Sequence, residues 1–235
     1  MTTDAPQLAA EASDCEVWRV GFRPEPWAWP AWQYATHGRF PGRWDDADGN
    51  FRTIYAGSQL LSCLLEVLAS FRPDPDLAAQ LTDIIDNDPA GAHPTRTAGA
   101  VPRSWLQPRI AASAQLTGTY AAVTTAESLA FLRPVFLHRA HQLGLDDLDA
   151  ATLKDARPRT LTQEVASYIY ETTDMDGVEF HSRHGDDHTL WAIFERPGDP
   201  DISPHLHGPA LHDLTPDLPE IMEAFRIHHL SWTDN

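Results

Sequence analysis

The chain has 235 residues, 42% of them hydrophobic, and its 34 acidic side chains against 17 basic ones give a formal charge of −17. Such a composition fits a soluble globular protein with its own core, and the acidic balance excludes direct binding to a nucleic-acid backbone, whose affinity comes from cationic side chains displacing counterions. No stretch approaches the roughly 18 apolar residues of a membrane helix, and residues 1–13 lack the basic start and apolar run of a secretory signal. Cys15 and Cys63 form no CxxC spacing, so neither a disulfide framework nor a thiolate zinc site is expected, and the expected setting is a reducing cytoplasm.

Residues 1–14 read as a flexible N-terminal segment. "EVWRVGF", 16–22, then alternates apolar and polar side chains as a half-buried strand does. "RPEPWAWPAWQYATHG" follows; its prolines exclude a helix, and Trp27, Trp29 and Trp32 read as an aromatic cover over the core. "FRTIYAG", 51–57, is a strand by pattern, with a turn at Gly57 and Ser58 as the N-cap of a helix. In "SQLLSCLLEVLASFR" the side chains of Leu60, Leu61, Leu64, Leu65, Val67, Leu68 and Phe71 fall on one arc at about 100° per residue. Glu66 falls outside that arc, beside Gln59, Ser62 and Ser70, where periodicity alone describes a solvated glutamate. The small residues Ser62, Cys63, Ala69 and Ser70 leave room for a ligand against that face.

"DPDLAAQLTDIID", 74–86, reads as a short helix and residues 88–102 as a connection. Two strands are expected at 109–116 and 118–123. Thr124 and Glu127 form a capping box, Pro134 divides the helical region that follows, and Gly144 ends it. "TLTQEVASYIYET" gives another helix, and "GVEFHS" and "TLWAIFE" two more strands. Residues 197–235, with an amphipathic piece from Glu220 to Leu230, flank the same domain. Strands and helices intersperse without a βαβ rhythm, which points to a single mixed α+β domain over residues 15–196.

Two clusters stand out. In "GRFPGRWDDADGNFRTIYAGS", 38–58, Arg39, Arg43 and Arg52 crowd together, either as an anion site or as partners of Asp45, Asp46 and Asp48. In "HSRHGDDH", 181–188, the histidines His181, His184 and His188 lie around Asp186 and Asp187. Imidazole and carboxylate suit zinc or iron, but the spacing matches no metal motif, and a polar hairpin turn accounts for it.

The order Arg43 in "GRW", Tyr55 closing a strand, Glu66 one helix later and Ser182 in "GVEFHSRHGDDHTLWAIFE" resembles the RES family, named for its arginine, glutamate and serine. The likeness runs from about Val17 to Glu195 and includes "GLDDLDAATLKDARPRTLTQEVASYIYE", similar to the family's helical region before the serine strand. It implies an ADP-ribosyltransferase-like fold that takes NAD as substrate, without a metal, and breaks the bond between nicotinamide and ribose by hydrolysis or phosphorolysis. On that basis Arg43 anchors the diphosphate, with Arg39 as a second candidate, because a guanidinium offers a planar fork of permanently charged donors. Glu66 stabilises the cation that develops on the ribose, Tyr55 lies against nicotinamide, and Ser182 positions ribose or phosphate. Adjacent strand residues point to opposite faces, so His181 is no base for Ser182.

The family includes bacterial toxins neutralised by Xre-type helix-turn-helix antitoxins, and such a partner, with NAD, is the expected company of this chain. Transfer of ADP-ribose to a protein, a catalytically inert binding module and a metal-dependent hydrolase built on the histidine group are the alternatives. The family's asparagines after its arginine and after its serine are replaced here by Asp45 and by the acidic "GDDH".

Overall fold

The computed structural model describes residues 6–73, 98–155 and 157–234; the helix expected at 74–86 lies outside them. The longest strands, β1 (Ala10–Phe22) and β4 (Arg109–Ala122), pair antiparallel from Ala10–Ala121 to Phe22–Arg109. β1 therefore begins at Ala10, inside the segment expected to be flexible, because β4 offers it partners along its whole length. β4 is one strand where two were expected. Gly118 does not turn the chain: its φ of +122° is accommodated within the strand, where an added Cβ would come 2.6 Å from Asp176 Oδ2.

β2 (Thr53–Gly57), β6 (Gly185–Phe194) and β5 (Gly177–Ser182) complete the sheet in the order β1-β2-β6-β5-β4, with β7 (Leu206–His212) on the first half of β4. Because β1 also pairs with β4, these five strands close on themselves. The closure is uneven, since β1 and β2 share a single register pair, Trp18–Gly57.

Helix α1 (Leu60–Leu68) leaves β2 through Gln59, an extended N-cap residue without a side-chain cap, rather than through Ser58. α2 (Ala126–Gln142) is capped by Thr125, whose hydroxyl accepts from Ser128 N at 3.2 Å, one residue later than expected. It also runs through Pro134. That residue is exposed, as is Ala130 four residues earlier, so the carbonyl deprived of its donor faces water. The short α3 (Ala150–Lys154) and α4 (Arg159–Thr172) follow, and α5 (Pro219–His228) lies beyond the strands. A small parallel pair, β3 (Ala100–Pro102) and β8 (Ser231–Thr233), ties the chain's end to the body.

Three apolar clusters hold these layers. α2 and α4 bury Leu132, Phe136, Leu161, Val165 and Ile169 against Phe180 and Phe194. Trp27 and Trp29 pack with Val17, Ile54 and Trp191, whereas Trp32, 42% exposed, stays outside that cover. Leu60, Leu64, Leu65 and Leu68 of α1 meet Ile221, Ala224 and Phe225 of α5, each buried side chain contributing about 1.5–3 kcal/mol. Val67, expected on this arc, is instead exposed.

Candidate active site

The uneven closure creates the site. Where β1 and β2 diverge, backbone groups that a ladder would pair must find other partners. Arg19 of β1 supplies one: its Nη1 donates to the Tyr55 carbonyl at 2.7 Å and its Nε to that of Pro26 at 2.7 Å. Cys63 of α1 supplies another, its Sγ donating to the Trp18 carbonyl at 3.0 Å. Burial pushes that thiol up to about 12, so it stays a neutral donor. Side chains thus hold the seam slightly open. A cleft of about 380 Å³ results, lined by Arg19, Arg43, Tyr55, Glu66, Arg159 and Arg183 among others.

Arg43 and Glu66 open into this same cleft. The Arg43 guanidinium lies 5.2 Å from the Phe180 ring centre, an approach that stabilises a cation over an aromatic face. Its Nη1 is buried with no hydrogen-bond partner. Burial lowers the Arg43 pKa, and Glu66 is the largest influence opposing that shift. Glu66 itself accepts a 2.7 Å hydrogen bond from the hydroxyl of Ser182. Val178, Phe180 and Ser182 alternate on the buried face of β5, which brings the serine beneath α1.

Arginines without a carboxylate partner gather at this cleft, although Arg72, Arg109, Arg157 and Arg196 outside it also have none among the described residues. Arg23, Arg52, Arg103, Arg133, Arg139 and Arg226 each lie within 4.0 Å of a carboxylate. Arg19, Arg43, Arg159 and Arg183 have no such partner among the described residues, in a chain of net charge −17. Four guanidiniums without carboxylate partners thus surround one glutamate, two of them, Arg19 and Arg159, also donating to backbone carbonyls.

Of the other expected residues, Tyr55 and Ser182 stay at the cleft, while Arg39 and Arg52 lie elsewhere. Arg39 sits outside the cleft, 60% exposed and 4.0 Å from Asp48. Arg52 pairs with Glu195 through both nitrogens of its fork, its Nε donating at 2.6 Å, and not with the aspartates of its own loop. Asp45 does not oppose an anion. It is buried, its Oδ2 accepting from Gly42 N at 2.5 Å and its Oδ1 from the Tyr55 hydroxyl at 3.0 Å, so it staples the loop that carries Arg43. Burial raises its pKa against those hydrogen bonds. The Tyr55 hydroxyl, which also accepts from Trp44 N at 2.9 Å, is fully engaged and presents only its ring. Burial, then the Asp45 charge, raises that phenol well above its ordinary value. The hydroxyl of Ser182 is likewise committed, to Glu66 rather than to an open position.

The histidine group disperses as well. His188 shares a 3.0 Å hydrogen bond with Ser62, Asp186 pairs with Lys154, and His184 packs on His228. Among the described residues no three His, Cys, Asp or Glu side chains converge as metal ligands would. Arg19, Arg159, Arg183 and Phe180 were not singled out from sequence. Arg19 reads there as the polar side of a strand, and Arg183 as part of a hairpin turn.

A family model, the RES domain, matches residues 16–134. That span contains Arg43, Tyr55 and Glu66; Ser182, Arg159 and Arg183 lie beyond it. No curated protein matches the chain. Among solved structures, a chain of the M. tuberculosis MbcT–MbcA toxin–antitoxin complex is similar at 16% identity and a TM-score of 0.48, covering 94% of this chain and 92% of that one. No helix among the described residues is long and apolar enough to cross a membrane.

Proposed function

The chain belongs to the RES domain family, and on that premise we propose that it cleaves the nicotinamide–ribose bond of NAD. The observation that carries this reading is the set of four guanidiniums without carboxylate partners, gathered with Glu66 around one cleft. A dinucleotide brings a diphosphate for the arginines and a sugar on which positive charge develops. Each charged hydrogen bond to phosphate is worth roughly 1.5–3 kcal/mol. Arg43, backed by Phe180 and with a spare buried Nη1, is the anchor. Arg159 and Arg183, exposed at the rim, guide the adenosine end.

Nicotinamide departs as a neutral molecule with the bonding pair, so no proton donor is needed. The burden falls on stabilising the oxocarbenium left behind. Glu66, held by the Ser182 hydroxyl, is oriented for this before the substrate arrives, and a carboxylate that interacts more strongly with the transition state than with the ground state lowers the barrier. Ser182 therefore acts through Glu66. The Tyr55 ring offers a flat apolar surface to the departing base. Water, phosphate or a protein side chain then takes the ADP-ribose.

In the cell this activity is that of a toxin depleting NAD, restrained by a cognate antitoxin of the Xre type; the acidic surface suits a basic partner. The test is incubation of purified protein with NAD, with and without phosphate, and chromatography of the products. Nicotinamide is released, and Glu66→Gln slows its release by about 10²–10³-fold, as does loss of an oxyanion-hole donor elsewhere. Unchanged release by that folded variant removes Glu66 from the mechanism.

A further inference from the structure

We propose that His228, on the last turn of α5, is a positioning residue for Glu66, an inference that rests on the reading of Glu66 given above. The imidazole is 2% exposed, and its Nε2 donates to the Leu65 carbonyl at 2.8 Å. Leu65 immediately precedes Glu66 and belongs to the final turn of α1, where carbonyls run out of helical donors. The side chain from α5 therefore fixes the backbone from which the carboxylate projects.

The same ring holds the carboxylate's partner. His184 packs against His228 edge to face, ring centres 5.1 Å apart at 71°. The His184 backbone N–H donates to Ser182 Oγ at 3.0 Å, and Ser182 donates to Glu66 Oε1 at 2.7 Å. Glu66, Ser182, His184, His228 and Leu65 form a closed circuit in which His228 touches both arms. Burial keeps both imidazoles neutral, so the contact between them carries no repulsion at neutral pH. His228 lies far beyond the matched span of 16–134, in the segment expected only to flank the domain. A catalytic carboxylate displaced by half an ångström loses much of its effect, and this circuit leaves it little freedom.

The experiment compares the full chain with His228→Phe, which keeps a ring but no donor, and His228→Gln, whose amide can donate to Leu65; melting curves establish that each is folded. In His228→Phe, kcat for NAD falls about tenfold, the value of one hydrogen bond of about 1.4 kcal/mol, while KM stays within about twofold. His228→Gln recovers most of that loss. Equal losses in both variants, or no loss in His228→Phe, overturn the inference. Hydrogen exchange at the His184 amide, read without substrate, accelerates in His228→Phe and returns toward the original rate in His228→Gln. An unchanged His184 amide breaks the circuit whatever happens to turnover. An accelerated amide in a chain that never consumes NAD supports the circuit and sinks the NAD reading instead.

Discussion

β1 has two edges with opposite characters. Along one it is zipped to β4 from Ala10 to Phe22; along the other it meets β2 at Trp18–Gly57 alone. The zipped edge satisfies backbone with backbone and fixes the fold. The parted edge satisfies backbone with the side chains of Arg19 and Cys63, and the space between them is the cleft. Closing the seam with more strand pairing would strengthen the sheet and remove the pocket, so the site exists because the ladder stops.

The largest test of this comparison removes the side chain that bridges the seam. Arg19→Met retains apolar bulk but leaves the carbonyls of Tyr55 and Pro26 without their donor. At about 1–3 kcal/mol for each of the two buried groups left unsatisfied, unfolding by urea should show a loss of about 2–6 kcal/mol. A loss below about 0.5 kcal/mol, the scale of an ordinary surface change, would show that water serves the seam equally well.

The next test sets two arginines of one loop against each other. Arg43 has a buried Nη1 without partner, whereas Arg52 is locked to Glu195. Arg43→Ala should reduce kcat/KM for NAD by about 10–100-fold, one or two charged hydrogen bonds, and leave the melting temperature unchanged or higher. Arg52→Ala should do the reverse, costing up to about 1 kcal/mol for a pair that is partly solvated and sparing turnover. If both variants lose turnover alike, the distinction between paired and unpaired arginines carries no functional meaning.

The short strands and α1 were largely legible in the sequence, whereas the full span of the zipped pair β1 and β4 and the parted seam were not. Alternation in residues 16–22 and 177–182 and the apolar arc of α1 report burial directly, because period follows from backbone geometry. Glu66 was visible as an interruption in that arc, but its surroundings were not: Ser62, read by periodicity as its neighbour on a solvated side, is buried at 0%, and Cys63, read as leaving room for a ligand, is buried at 7%. Periodicity describes one element against one core, and α1 packs against two, the α5 layer and the seam. Gly118 and Pro134 misled because their tertiary surroundings, the close approach of Asp176 and a helix face open to water, override the local habits of those residues. Arg159 and Arg183 enter the cleft from α4 and the β5–β6 hairpin, placements that only topology makes.

The smallest effect is a slope with pH, and it reports on the corner where the two halves meet. His184 is surrounded by Glu66, Arg183, His228 and Arg72; burial first, then the neighbouring cations, lowers its pKa from 6.5 to about 4 despite the pull of Glu66. An unfolded chain takes up this proton near its ordinary value, while the folded chain resists until about pH 4. Between those limits the unfolded state binds more protons, so stability rises with pH and declines on acidification. Urea midpoints measured across this window should therefore fall more steeply for the natural chain than for His184→Asn, which has no group to titrate. Equal slopes would mean that the corner admits water freely enough for His184 to charge in place, and the hold of α5 on Glu66 would then be looser than the packing of His184 on His228 indicates.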